Sequence, residues 1–240
     1  MIVLFTDFGA RDPYVGQVKS RIHEYAPQQV VVDLLHETPD YDVLAGAHLI
    51  AALSTGFPPG TVFMCVVDPG VGTERDGVVV AAGGHWFVGP DNGLLSIAVA
   101  RRTDAMIWRI NWGQPASSTF HGRDVFAVVS ALIARGEFPS DKLAQKAKLD
   151  VEFDSEDLSR VVYIDHFGNA WTGVRGSNLA ENRIVTANGV KFRYAKTFGF
   201  VGKGEGFWFV NSAGLLELAI NSGNAARRHD LKVGDLVQIH

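Results

Sequence analysis

Three polar loops in the first half of the chain carry the residue types that activate water. They are Thr6-Asp7-Phe8-Gly9-Ala10-Arg11-Asp12, Asp68-Pro69-Gly70-Val71-Gly72-Thr73-Glu74-Arg75 and Ser118-Thr119-Phe120-His121-Gly122-Arg123-Asp124. A carboxylate and an imidazole can orient a water molecule and take its proton, and a guanidinium favours the anion that develops. Asp68, Arg75 and His121 supply one of each. A plain Asp68–Arg75 salt bridge and a structural histidine account for the same residues on spacing alone, so both readings stand at this point. Asp7 offers two acceptor oxygens, enough for both hydroxyls of a ribose, or else it caps the following helix. Asp12 either caps the turn into that helix or accepts a ligand's ammonium group. The second loop is glycine-rich but has no P-loop lysine and no clear following helix. Its glycines therefore let the backbone turn sharply while Asp68 and Arg75 project into a cleft.

The carboxyl half has its own polar clusters. Ile164-Asp165-His166-Phe167-Gly168-Asn169-Ala170-Trp171-Thr172 places Asp165, Asn169 and Trp171 close together around a glycine bend. Such a segment either holds a polar ligand with a flat ring or is an ordinary turn with Trp171 in the core. Phe198, the Asn211-Ser212 pair and Ser222 are similar candidates. His36, His121 and His166 with Asp7, Asp12 and Asp68 have the chemistry of metal ligands. None shows the close pairing of a zinc-binding helix, so no metal site is expected. Cys65 lies in the apolar run Thr61-Val62-Phe63-Met64-Cys65-Val66-Val67. A lone thiol forms no internal disulfide, and here it reads as a small buried hydrophobe.

The elements that must position these loops follow from periodicity. Short apolar or β-branched runs at residues 2–5, 29–35, 61–67, 77–82, 85–88 and 106–110 read as strands. Helical spacing appears over 15–25, after Asp42 as N-cap, and over 125–134. Strands alternating with helices predict an α/β unit over residues 1–150, a mixed sheet with flanking helices. The acidic, irregular stretch 150–157 reads as a linker. Residues 158–240 then carry short strand-like runs, an Asn188-Gly189 hairpin signal and no helix of ordinary length, which predicts a smaller all-β, barrel-like domain. Ligands of open α/β sheets bind at the carboxyl ends of strands, where all three loops of the first unit fall.

Composition narrows the function classes. With 47% hydrophobic and 20% charged residues the 240-residue chain can bury a substantial core. A formal net charge of −4 and the lack of a basic run give no footprint for nucleic acid or membrane. No apolar run reaches spanning length and the first residues do not form a secretory signal, so a cytoplasmic protein acting on a small molecule is expected.

Taken in order, these segments resemble the S-adenosyl-L-methionine (SAM) hydroxide adenosyltransferase family, relatives of the fluorinating and chlorinating SAM enzymes. The matching motifs include Thr6-Asp7-Phe8-Gly9, Tyr14-Val15-Gly16, Val67-Asp68-Pro69-Gly70-Val71-Gly72-Thr73, Gly89-Pro90-Asp91-Asn92-Gly93-Leu94-Leu95 and Thr119-Phe120-His121-Gly122-Arg123-Asp124. Asp165-His166-Phe167-Gly168-Asn169, Asn211-Ser212 and Asn221-Ser222-Gly223-Asn224-Ala225-Ala226 follow. The resemblance implies hydrolysis of SAM to adenosine and methionine without a cofactor, SAM being the substrate. It also implies a homotrimer with SAM between one subunit's first domain and a neighbour's second. It assigns water activation to Asp68, Arg75 and His121, and the ribose hydroxyls to Asp7. Asp12, Asp165 and Ser212 would face the methionine part, Asn169 and the Asn221-Ser222 loop the adenine, and Tyr41, Trp171 and Phe198 would form apolar or stacking walls. Ala213 departs from the arginine that some relatives place beside this serine. A halide-using enzyme and a non-catalytic adenosine or SAM sensor are the alternatives.

Overall fold

The computed structural model describes residues 1–113 and 115–240. They form two compact units, Met1–Ser155 and Glu156–His240.

The first unit runs β1 (Ile2–Thr6), α1 (Pro13–Tyr25), β2 (Val31–Leu35), α2 (Val43–Leu53), β3 (Val62–Val66), β4 (Gly77–Ala82), β5 (His85–Pro90), α3 (Ser96–Ala100), β6 (Met106–Ile110), α4 (Ala127–Ala134) and β7 (Leu143–Lys146). Its seven strands make one mixed sheet in the order β2-β1-β3-β5-β4-β6-β7. β1 is parallel to β2 and β3, β3 is parallel to β5, and β4 is antiparallel to β5 and β6. Because strand side chains alternate, Ile2, Leu4, Val62 and Met64 turn to one face, where they pack with Val15, Val18 and Ile22 of α1 and residues of α4. Val3, Phe5, Phe63 and Cys65 turn to the other and are also fully buried. The continuous apolar runs of β1 and β3 are thus what a sheet covered on both faces demands. Asp42 caps α2 as expected, its Oδ1 accepting from Ala45 N–H at 2.9 Å. Gly89 of β5 lies so close to β3 that a Cβ there would overlap the Cys65 carbonyl oxygen.

The sequence reading missed α3 and β7. β7 reads Leu-Ala-Gln-Lys, a four-residue edge strand with little β propensity, and pairing with β6 makes it a strand. Residues 150–155 are held to the first unit. Asp150 N–H donates to Asp91 Oδ1 at 3.0 Å, and Phe153 N–H donates to Ser96 Oγ at 3.2 Å.

The second unit contains β8 (Leu158–Ile164), β9 (Ala170–Arg175), β10 (Ile184–Ala187), β11 (Val190–Tyr194), β12 (Gly206–Val210), β13 (Leu215–Ile220), α5 (Ala225–His229) and β14 (Val237–Ile239). The sheet order is β14-β10-β11-β12-β13-β9-β8, with β11 and β12 parallel and the other pairs antiparallel. An Arg160–Leu236 bridge and the Val161 N–H to Asp235 O bond at 2.8 Å draw the two ends of the order together, so the sheet nearly closes into a barrel. Asn188 at the hairpin has φ 47°, as the Asn-Gly signal requires. β13 is a further strand beyond the sequence expectation, since Glu217 interrupts its apolar pattern. All six of its residues are buried. Among the described residues no helix is long and apolar enough to cross a membrane.

Candidate active site

Each unit holds a cleft. In the first unit it is about 690 Å³ and lies at the carboxyl ends of the parallel strands, lined by Asp7, Asp12, Tyr41, Asp68 and His121 among others. Asp7 follows β1 directly, and its N–H donates to Val66 O at 3.2 Å. Burial raises its carboxyl above the usual carboxylate range, opposed by the Tyr41 N–H that reaches Oδ2 at 3.4 Å. Tyr41 is exposed and sits at φ 61°, a strained backbone for a tyrosine. Asp12 occupies the N-cap position of α1 but its side chain makes no capping bond, so the capping reading fails and the residue lines the cleft instead. Phe8, Tyr14 and Phe120 form a mutually contacting aromatic wall, with centroids 5.6 to 6.0 Å apart.

Asp68, Arg75 and His121 come together. Arg75 grips Asp68 with two parallel bonds, Nε to Oδ1 at 2.9 Å and Nη2 to Oδ2. The same Nη2 donates to His121 Nδ1 at 3.2 Å. The pair is therefore a salt bridge and part of a three-residue group at once. The Asp68 and Arg75 side chains are 5% and 11% exposed, which removes most solvent screening. The guanidinium also lies 5.4 Å from the Phe126 ring centre. Burial first, and then the Arg75 charge, hold the His121 imidazole below its ordinary range. A neutral His121 whose Nδ1 accepts from Arg75 carries its proton on Nε2. His121 begins a five-residue π-helical turn, Gly122–Phe126, that leads into α4. The loops are pressed together: Gly72 has φ 82°, and a Cβ there would meet the Ser118 carbonyl oxygen at 2.7 Å.

The remaining histidine candidates do other things. His36 Nδ1 bonds the Thr6 hydroxyl at 2.8 Å while Nε2 bonds Asp33 at 3.0 Å, so both ring nitrogens are engaged. His166 belongs to the second unit, where its ring meets Phe167. Among the described residues no group of three or more His, Cys, Asp or Glu is placed to hold a metal ion.

The second unit's cleft is about 600 Å³ and is lined by Asp165, Asn169, Trp171, Phe198, Asn211, Ser212 and Ser222, together with Glu217 and Phe209. Asp165 ties its own turn, with Oδ1 accepting from Phe167 and Asn169 N–H at 3.0 and 2.8 Å. Asn169 Oδ1 and Trp171 Nε1 are buried without a partner, and both residues line the cleft. An orphaned acceptor beside an orphaned ring N–H suits a ligand with complementary donors and acceptors. Asn211 uses its whole amide locally, Oδ1 accepting from Ala213 and Leu215 N–H at 3.0 Å and Nδ2 donating to Glu217 Oε2 at 3.0 Å. Ser222 sits at φ 56°, and its hydroxyl donates to Asn221 Oδ1 at 3.1 Å. Phe198 meets Phe207 and Phe209 edge-on.

Glu217 is the residue that sequence reasoning passed over. It is 3% exposed, and burial pushes its carboxyl up to about 7, helped by the Asp165 charge and opposed by Asn211 and Asn169. The available signal was an acid in an otherwise unbroken apolar run, Leu215-Leu216-Glu217-Leu218-Ala219-Ile220.

The chain thus joins an α/β unit, which gathers a carboxylate, a guanidinium and an imidazole at its strand ends, to a small barrel-like unit. This chain belongs to the SAM hydroxide adenosyltransferase family, whose N-terminal domain matches residues 2–144 and whose C-terminal domain matches residues 159–238. It is 36% identical to the (R)-S-adenosyl-L-methionine hydrolase of Thermus thermophilus, over 99% of this chain and 98% of that protein. It is 32% identical to the enzyme of the same name from Methanocaldococcus jannaschii, over 100% and 95%. A fluorinase of Nocardia brasiliensis is more distant, at 27% over 100% and 96%. Among solved structures, an uncharacterised conserved protein from Thermotoga maritima matches with TM-score 0.90 and 32% identity, covering 100% of this chain and 99% of its own.

Proposed function

We propose that this chain is a cytoplasmic, homotrimeric enzyme that cleaves SAM with water to give adenosine and L-methionine. The observation that carries the reading is the Asp68–Arg75–His121 group beside the cleft of the first unit. In the proposed step a C5′–O bond forms as the C5′–S bond breaks, the electron pair neutralises the sulfonium, and one proton leaves. The sulfonium is already a good leaving group, so the nucleophile is what needs help. Bulk water has a pKa of about 15.7, so it is deprotonated as it attacks. His121, with its proton on Nε2, and the Arg75 guanidinium hold the water oxygen. Asp68 keeps unshared pairs after its two bonds to Arg75, orients the guanidinium and takes the proton. Much of the rate gain comes from alignment in line with the leaving sulfur. The step as written calls for no metal or redox cofactor.

Asp7 would receive the ribose hydroxyls and Asp12 the methionine ammonium, while the second cleft, with Asp165, Asn169, Trp171, Phe198 and Ser212, would meet the rest of the substrate. In a trimer the two clefts serving one SAM come from neighbouring subunits. Mixing the impaired Asp68→Ala and Asn169→Ala proteins under subunit exchange should then restore part of the activity. No recovery after exchange is confirmed would refute shared sites.

The deciding experiment is chromatography of purified protein with SAM in halide-free, EDTA-containing buffer against a no-protein control. Protein-dependent adenosine and methionine in equal amounts is the expected result. SAM recovered intact would make the chain a binding protein. A 5′-halo-5′-deoxyadenosine formed only on adding halide would make it a halogenase.

A further inference from the structure

The Pro90-Asp91-Asn92-Gly93 turn after β5 touches the proposed water-activating loop at both of its ends. Asn92 Nδ2 donates to Val67 O at 2.8 Å, and its Oδ1 accepts from Leu94 N–H at 3.2 Å. Val67 is the residue that joins β3 to Asp68. Asp91 N–H donates to Asp76 O at 2.9 Å, and this same carbonyl accepts from Arg75 Nη1 at 3.2 Å. The turn is itself anchored. The Asp91 carboxylate is fully buried and accepts from Lys146 Nζ at 2.5 Å and from Asp150 N–H. Lys146 also reaches Asp150 at 2.6 Å and Asp76 at 3.4 Å.

The loop between these grips belongs to no helix or strand. Its internal backbone bonds are short-range turns, Val71 N–H to Asp68 O and Thr73 N–H to Gly70 O, both at 3.2 Å. The Asp68–Arg75 pair closes within this one loop and would survive if the loop shifted as a body. What such a shift would lose is the pair's placement against His121, which comes from a different part of the chain, and against Asp7. A displacement of about 1 Å from remote causes can cost on the order of a hundredfold in rate.

We propose that this turn is a positioning device for hydrolysis, in which Asn92 fixes the Val67 carbonyl and thereby Asp68, while the Asp91 backbone fixes the Asp76 carbonyl and thereby Arg75. The proposal rests on the hydrolytic reading above. Asn92 is the residue to test, because Asp91 acts on Asp76 through its backbone.

Asn92→Ala removes both side-chain bonds, and Asn92→Asp removes the donor while keeping the acceptor for Leu94. SAM-binding stoichiometry by calorimetry counts folded sites, so that kcat is expressed per competent site. Both variants should lose roughly 10- to 100-fold in kcat with KM within about threefold of the parent. In an Asp68→Ala background, Asn92→Ala should change kcat by less than about twofold, because the group it positions is gone. Parental kcat per site in Asn92→Ala overturns the proposal, as does a full, additive loss in the Asp68→Ala background. Failure of the hydrolytic reading shows separately, as undiminished turnover in Asp68→Ala alone.

Discussion

Glu217 makes the second unit's stability depend on pH in an unusual direction. Its side chain sits on the fully buried strand β13 and is met by Asn211, Asn169 and the Asp165 charge. Its carboxyl lies at about 7 in the folded protein, against 4.5 for an ordinary glutamate, chiefly because burial penalises the ionised form. The folded state thus holds a proton that the unfolded state releases. Stability from this group is complete below pH 4.5 and is lost as pH rises through 7. At about 1.4 kcal/mol per pKa unit the rise from 4.5 to about 7 amounts to about 3.5 kcal/mol, and exposure of only 3% leaves little solvent screening to reduce it. For a chain of this size that is roughly 7 to 14 °C in Tm. Glu217→Gln keeps the shape and removes the titration. Thermal unfolding of both proteins from pH 5 to 8.5 should show the variant gaining on the parent as pH rises. Taking the difference cancels the histidines and other groups common to both. Parallel Tm curves across that range would refute the assignment of a buried, proton-holding Glu217.

Other predictions concern the first unit. Asp68→Ala and His121→Ala should each lower kcat by about 10²- to 10⁴-fold with modest change in SAM affinity, read from steady-state kinetics and calorimetry; turnover at the parental rate would remove that residue from the step. Burial and Arg75 keep His121 neutral below pH 6.5, so kcat/KM should hold as pH falls through 6.5 and drop only below it. Arg75→Gln removes the cationic share of that effect, so whatever activity remains should show an acid limb moved upward toward 6.5; an unmoved limb would assign it to another group. Gly89→Ala places a methyl against the Cys65 carbonyl between two central strands and should cost about 3 kcal/mol in chemical denaturation, whereas Gly56→Ala, which meets nothing within 4 Å, should cost far less.

The sequence was most readable where local chemistry and tertiary context agree. The apolar runs of β1 and β3, the Asp42 cap and the Asn188-Gly189 turn all took the forms their residues favour. β13 was obscured because Glu217 interrupts its apolar pattern and an acid ordinarily signals solvent. β7 was obscured because it owes its conformation to pairing with β6. For the first cleft, the residue types at strand ends pointed to Asp68, Arg75 and His121, yet spacing alone left Asp68–Arg75 as either a salt bridge or part of a site. Its contact with His121, 46 positions further along, makes the pair a salt bridge and part of a three-residue group at once. The π-helical turn after His121 has no readable signal, since Gly122-Arg123-Asp124-Val125-Phe126 is equally compatible with an ordinary helix start.

The order of strands in the first sheet also bears on how the chain is made. Ile2 of β1 pairs with Val31 on one side and with Val62 on the other. During synthesis β1 emerges ahead of β3, and its β3 edge stays unpaired until about 60 further residues have been added, some 3 to 12 s at 5–20 residues per second. For that interval the apolar segment Ile2-Val3-Leu4-Phe5 is an open template for wrong strand pairing, at the strand whose end later presents Asp7.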